Sequence, residues 1–102
     1  RLHPKSLGVA DELLHWMQEN PTVQLDIIGH VNGANGRKSR SFYRKASMRR
    51  AEVMIQWLTD HGIDPERLTA KGRGSDAVLF PDPLYAWQHE ANRRIEIEVT
   101  HH

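Results

Sequence analysis

The sequence predicts an α+β fold, an α/β sandwich in which two long helices pack on one face of a mixed sheet of about three to four strands. Two observations support this prediction. Segments with apolar residues at helical spacing alternate along the chain with segments in which apolar and polar residues alternate. Because helices connect consecutive strands, the strands are expected to pair in a parallel or mixed sheet that is covered on one face.

The first predicted helix spans residues 5–19, and the first strand spans residues 22–29. Proline disfavours helical geometry in the residue before it, so Asn20-Pro21 separates the two elements. One face of the helix is apolar and carries Leu7, Ala10, Leu13, Leu14 and Met17. The strand alternates apolar with polar residues and is expected to bury one face, that of Val23, Leu25 and Ile27.

A segment rich in glycine and asparagine, without periodicity, predicts a loop over residues 32–40 as the most flexible part of the chain. The second helix is predicted over residues 42–61, and Gly62 supplies the left-handed residue that commonly follows such a helix. Asp64-Pro65 predicts a short helical turn, since proline favours the first helical position. The apolar face of the long helix is predicted to hold Ser47, Ala51, Met54, Ile55 and Leu58.

A second strand is predicted over residues 68–72, followed by an irregular stretch and a short helix over residues 84–92. The last strand is predicted to be half-buried through Ile95, Ile97 and Val99. Leu58 and Ile97 are therefore expected to be core residues, whereas Gln56 is expected to be exposed.

Length and composition limit the class of protein. The chain has 102 residues and 38% hydrophobic residues, which suits one small domain with a compact core. Its 14 basic and 13 acidic residues give a net charge of +1, too small for a global field that attracts nucleic acid. The sequence has 0 cysteines, so it forms neither disulfides nor thiolate metal sites. The absence of cysteine is compatible with a reducing or an oxidising compartment. No segment is apolar over the length that spans a bilayer.

Metal-dependent and catalytic roles have little support in the sequence. The 7 histidines show none of the spacings that zinc sites use. Gly72-Arg73-Gly74 lacks the third glycine of a dinucleotide loop, and no nucleophile elbow is present. We therefore expect a protein that is not an enzyme and that carries neither a metal nor a cofactor.

Nucleic-acid binding is an alternative suggested by one basic run, in which Phe42 and Tyr43 lie among cations. A solvated helix face explains the same pattern, because basic and polar residues alternate there and acidic residues elsewhere balance the charge. We expect no nucleic-acid partner. The cations of this run are Arg37, Lys38, Arg40, Arg44, Lys45, Arg49 and Arg50.

Three motifs occur in order along the chain. Ile28-Gly29-His30-Val31-Asn32 ends a strand, Ala46-Ser47-Met48-Arg49-Arg50-Ala51 lies early in the next helix, and Asn92-Arg93-Arg94-Ile95-Glu96-Ile97 lies in the last strand. They resemble the Gly-His-Thr-Asp, Leu-Ser-x-x-Arg-Ala and Asn-Arg-Arg-Val-Glu-Ile motifs of OmpA-like C-terminal domains. Between them, Gly62-Ile63, Arg67-Leu68 and Gly72-x-Gly74 also match the family pattern. The resemblance covers nearly all of residues 9–99.

The resemblance implies non-covalent binding of peptidoglycan through the diaminopimelate of its stem peptide. The free end of diaminopimelate is a zwitterion, so it requires a cation for its carboxylate and an acceptor for its ammonium. The family's arginine corresponds to Arg50 and its aspartate to Asn32, which lacks the negative charge. Tyr43 stands where the family often has asparagine. The structural alternatives are a turn role for Asn32 and a surface salt bridge for Arg50.

His30 and Arg94 complete the candidate ligand-binding set. A histidine in this motif is expected to tie the strand end to the sheet more than to contact ligand. Strand alternation places Arg94 on the face opposite Ile95. The alternative function is a protein-interaction module of the same fold that has lost or altered peptidoglycan binding. The reason for this alternative is Asn32, which replaces the family's charged aspartate.

Residues 1–100 are expected to form the OmpA-like domain, with the family's first strand upstream of them, and His101-His102 resemble the start of an affinity tag. The resemblance implies a periplasmic location at the outer membrane of a Gram-negative bacterium. It also implies a parent protein that is attached to the membrane through a segment outside these residues. Oligomeric state, organism and parent architecture are left open.

Overall fold

The computed structural model describes residues 4–31, 39–74 and 94–102. Helix α1 is Pro4–Glu19, strand β1 is Gln24–Gly29, helix α2 is Arg40–Asp60, strand β2 is Leu68–Gly72 and strand β3 is Ile95–His101. The predicted short helix over residues 84–92 and most of the predicted loop over residues 32–40 lie outside the described residues.

The described strands form one mixed sheet in the order β2-β1-β3, with two helices packed on it, which confirms the predicted fold class. β1 pairs with β2 in parallel, with Leu25 opposite Leu68. β1 pairs with β3 in antiparallel orientation, with Ile27 opposite Ile97. β1 is therefore the central strand, and the helix between β1 and β2 makes the crossover that a parallel pair requires.

Helix α2 begins two residues before the predicted start because Ser39 caps it. The Ser39 hydroxyl accepts a hydrogen bond from the Phe42 N–H at 3.1 Å, which is the usual function of a serine at this position. The sequence pattern had placed residues 39–40 in the loop. At the other end, Gly62 has a φ of +101°, and the Ile63 N–H donates to the Leu58 carbonyl at 3.1 Å. This geometry confirms the predicted left-handed glycine after the helix.

The core lies between the helices and one face of the sheet. Its fully buried or nearly buried side chains include Ala10, Leu13, Leu14 and Met17 of α1, Leu25 and Ile27 of β1, and Ala51, Met54 and Leu58 of α2. The predicted core position of Leu58 is confirmed, whereas that of Ile97 is wrong: Ile97 is 37% exposed. β3 is an edge strand among the described residues, so its apolar face is only partly covered.

The polar face of β1 is also buried, contrary to the prediction of one buried face. Asp26 is 6% exposed, and its carboxylate contacts the Lys71 ammonium at 2.6 Å. This ion pair raises the pKa of Lys71. β1 lies between β2 and β3, so side chains of its neighbours, such as Lys71 of β2, lie against this face.

Arg67 joins the end of α1 to the start of β1. Its Nε donates to the Val23 carbonyl at 2.9 Å, and one terminal nitrogen donates to the carbonyls of Met17 and Asn20 at 3.1 and 2.7 Å. The Met17 and Asn20 carbonyls lie at the end of α1, where carbonyls have no partner within the helix, and the Val23 carbonyl lies just before β1. Among the helices that the described ranges contain, none has the length and apolarity needed to cross a bilayer.

Candidate functional site

Helix α2 lies in direct backbone contact with the ends of β1 and β2, and two glycines make this approach possible. A Cβ placed on Gly29 would lie 1.9 Å from the Ser47 carbonyl oxygen and 3.3 Å from the Ala51 nitrogen. A Cβ on Gly72 would lie 2.6 Å from the Arg44 carbonyl oxygen. Only glycine fits at such distances. The two glycines therefore fix residues 44–51 of α2 over the carboxyl ends of the two parallel strands.

Ser47 fastens α2 to the turn that follows β2. Its buried hydroxyl accepts a hydrogen bond from the Gly74 N–H at 2.7 Å and donates to the Arg44 carbonyl at 2.8 Å. The Val31 N–H donates to the Gly74 carbonyl at 3.0 Å, so the chain leaving β1 is tied to the same turn. Helical periodicity placed Ser47 on the apolar face of α2 but did not predict this contact.

His30 and Arg94 meet at Glu96, at the end where β1 finishes and β3 begins. His30 is 2% exposed, and its Nε2 makes a hydrogen bond with the Glu96 carboxylate. A terminal nitrogen of Arg94 lies 3.6 Å from the same carboxylate, and the His30 N–H donates to the Arg94 carbonyl at 2.9 Å. Glu96 was missed by sequence reasoning, since its contact with His30 depends on the strand register.

The pKa of His30 lies below its ordinary value of 6.5. Burial is the main cause, and the positive charges of Arg94 and Arg73 act in the same direction. Glu96 opposes them through its hydrogen bond and charge. The ring is therefore neutral near pH 7.

Arg50 and Tyr43 lie two helical turns apart on one side of α2, and both are half-buried. Arg50 lines a groove of about 560 Å³ on α2, which we call the α2 groove. The Tyr43 ring meets the Phe42 ring edge-on with centroids 5.8 Å apart. The described residues that line the groove are Phe42, Lys45, Ala46, Arg49, Arg50 and Val53.

The structure divides the predicted ligand-binding residues into two groups. β1 directs Leu25, Ile27 and Gly29 toward the helices, whereas the contact with Glu96 places His30 and Arg94 on the other face of the sheet. Arg50 and Tyr43 lie on α2, above the first face. Asn32 lies outside the described residues. Within the described ranges, no cluster of three or more histidine or acidic side chains has a geometry suited to a metal ion.

The chain is similar in sequence to outer-membrane proteins. It is 29% identical over 96 residues to outer membrane porin F of Pseudomonas fluorescens, covering 94% of this chain and 28% of that protein. It is 27% identical over 99 residues to outer membrane protein A of Bordetella avium, covering 97% of this chain and 49% of that protein. The chain thus spans less than half the length of these relatives.

Solved structures share the fold. The peptidoglycan-associated lipoprotein of Burkholderia pseudomallei superposes with a TM-score of 0.77 at 13% identity, over 99% of this chain and 80% of that one. The C-terminal domain of Helicobacter pylori MotB superposes with a TM-score of 0.80 at 18% identity, over 98% of this chain and 76% of that one. The model of the OmpA family matches residues 1–94. The chain therefore belongs to the OmpA family.

Proposed function

We propose that this domain binds peptidoglycan non-covalently and holds the protein that carries it to the cell wall, without a catalytic step. Membership of the OmpA family and the fold shared with a lipoprotein named for its association with peptidoglycan support this proposal. The outer-membrane names of the sequence relatives support a periplasmic location at the outer membrane of a Gram-negative bacterium. Attachment of the parent protein through another segment belongs to the same proposal.

The position of Arg50 is the observation that carries the proposal. Residues 47–51 of α2 rest on Gly29 at the end of β1, so the Arg50 guanidinium is carried by a backbone that cannot shift without breaking this packing. A fixed backbone position lowers the entropic cost of placing an arginine on a carboxylate, because only the side chain then has to be ordered.

The ligand that we propose is the free end of diaminopimelate in a stem peptide. Arg50 binds its carboxylate, and the Asn32 side-chain oxygen accepts a hydrogen bond from its ammonium. Because Asn32 is neutral, this second bond lacks the charge assistance that an aspartate would give. Tyr43 lines the same side of α2 as Arg50 and is proposed to border the ligand.

Calorimetric titration with diaminopimelate tests this assignment. Arg50→Gln should weaken binding about 30-fold, because loss of a charge-assisted partner costs about 2 kcal/mol. Arg44→Gln is the matched control, since it removes the same charge from α2 at a residue outside the α2 groove. Equal affinity of the Arg50→Gln variant and the parent would remove Arg50 from the site.

Asn32→Asp distinguishes the proposed ligand from the alternative function. An aspartate restores the anionic partner of the ammonium, so diaminopimelate should bind several-fold more tightly, and the gain should decrease with added salt. If affinity is unchanged or weaker, the new carboxylate meets no cation and is desolvated without compensation. That result would favour an amidated stem or a protein-interaction module that has lost peptidoglycan binding.

A further inference from the structure

The outer side of α2 carries a pair of exposed cations, Lys45 and Arg49, which we call the outer pair. Both line the α2 groove together with Arg50. Among the residues that the structure describes, neither Lys45 nor Arg49 has an ion-pair partner. The groove thus holds three cations, Lys45, Arg49 and Arg50, beside apolar side chains such as that of Phe42.

Fold stability does not account for the outer pair. Lys45 and Arg49 are four residues apart on one helix, where like charges repel. The first turn of α2 holds no acidic residue and its last turn no basic one, so the charges of α2 do not complement the helix dipole. Exposed cations that repel each other, have no ion-pair partner among residues 4–31, 39–74 and 94–102, and line a groove are suited to an external anion.

The groove residues form one continuous stripe along α2. Positions 42, 45, 46, 49, 50 and 53 follow the spacing of a single helix face, so the outer pair and Arg50 face the same occupant. Phe42 is 51% exposed and offers an apolar surface at one end of the stripe. An occupant that matches this stripe carries several carboxylates and short apolar side chains along an extended chain.

We propose that the outer pair is a second carboxylate subsite, which binds a stem-peptide carboxylate other than the one held by Arg50. This proposal rests on the proposed function. A polymeric wall offers many carboxylates within reach of one domain, whereas free diaminopimelate engages only the Arg50 end of the groove. The outer pair therefore contributes to binding of the wall polymer and has little effect on the affinity for the isolated amino acid.

A narrow stripe along one helix, with cations and apolar side chains side by side, matches an extended chain that carries both carboxylates and apolar groups. The net charge of +1 makes a polyphosphate a weaker match, because tight binding of a polyphosphate depends on many cations along an extended surface. Charge complementarity and continuity with Arg50 thus favour the carboxylates of the wall.

The test compares the parent chain with the double variant Lys45→Gln/Arg49→Gln, using two ligands. With insoluble diaminopimelate-type peptidoglycan in a sedimentation assay, the double variant should bind about ten-fold more weakly, since each exposed charge contact contributes a few-fold. Its binding should also depend less on salt between ~50 and ~200 mM. With free diaminopimelate in calorimetry, its affinity should change less than about two-fold. Arg73→Gln, which removes an exposed cation that does not lie on α2, controls for loss of positive charge from the chain.

Equal wall binding by the parent and the double variant would overturn the subsite. Equal weakening for both ligands would also overturn it, because the outer pair would then act on the Arg50 end itself. Failure of the proposed function has a separate signature, in which Arg50→Gln leaves wall binding unchanged. If the parent binds anionic phospholipid vesicles or a single-stranded oligonucleotide as tightly as the wall, and the double variant loses this binding, the carboxylate assignment is wrong.

Discussion

The Arg67 side chain supplies hydrogen-bond donors to three backbone carbonyls. It donates to carbonyls at the end of α1 and at the residue before β1, the acceptors being Met17, Asn20 and Val23. We expect Arg67→Met, which keeps much of the side-chain length, to lower the free energy of unfolding by roughly 2 to 4 kcal/mol, because partly buried carbonyls lose a charged donor. Urea denaturation measures this change.

Arg49→Met provides the control for that measurement, because it removes an exposed arginine from α2 without breaking a described hydrogen bond. Its free energy of unfolding should stay within about 0.5 kcal/mol of the parent. Equal stability of the Arg67→Met variant and the parent would show that water satisfies the three carbonyls.

His30 makes stability depend on pH. Its pKa in the folded state lies below 6.5, so on acidification the unfolded chain takes up a proton before the folded chain does. The corresponding stability is present above pH 6.5 and is lost as pH falls through the lowered pKa. We expect His30→Gln, whose amide still donates to Glu96, to flatten the decrease in urea midpoint between about pH 7 and pH 5. Parallel pH profiles for the variant and the parent would contradict this assignment.

At the scale of elements, the contact between α2 and the strand ends depends on Gly29. We expect Gly29→Ala to lower the free energy of unfolding by at least roughly 3 kcal/mol, since the added methyl would meet backbone atoms of α2 that cannot rotate away. Gly8→Ala is the matched control, because a Cβ there has no atom within 4 Å and alanine favours the helix.

We expect the two glycine variants to change the free energy of unfolding, measured by thermal or urea denaturation, in opposite directions. Gly8→Ala should stabilise α1 by about 0.5 to 1 kcal/mol, as expected for an exposed helical position. A Gly29→Ala variant as stable as the parent would mean that α2 moves away from β1 at little cost, and Arg50 would then not be held rigidly over the strand end.

Most elements could be predicted from the sequence because their signals are local. The apolar face of α2, the left-handed Gly62 and the strand over Leu68–Gly72 follow from spacing and backbone preference. The start of α2 was predicted too late because Ser39 was assigned to a loop although it caps the helix. The exposure of Ile97 could not be predicted, since alternation shows which face a residue occupies but not whether its strand lies at an edge.

The candidate site was predictable only through its motifs. Arg50 was singled out by resemblance, and its position over β1 depends on a close approach at Gly29 that no local pattern reveals. The contacts of Glu96 and Ser47 join residues 66 and 27 positions apart in sequence, so they require the register of the sheet and the packing of α2. Asn32 remains a sequence-based assignment.

At the scale of the whole molecule, the α2 groove lies on one helix of a small helix-covered sheet. The described residues that line the groove include the cations Lys45, Arg49 and Arg50, whereas the chain as a whole has a net charge of only +1. Local charge on a nearly neutral domain favours a specific anionic group over nonspecific attraction to polyanions.

Sedimentation with purified insoluble peptidoglycan tests the central claim most directly. We expect the parent chain to sediment with diaminopimelate-type walls and to bind lysine-type walls much more weakly, because the latter lack the second zwitterionic end that Arg50 is proposed to recognise. Arg50→Gln should abolish this preference, while Arg44→Gln should preserve it. Equal sedimentation of the parent and the Arg50→Gln variant with both kinds of wall would contradict the proposed function.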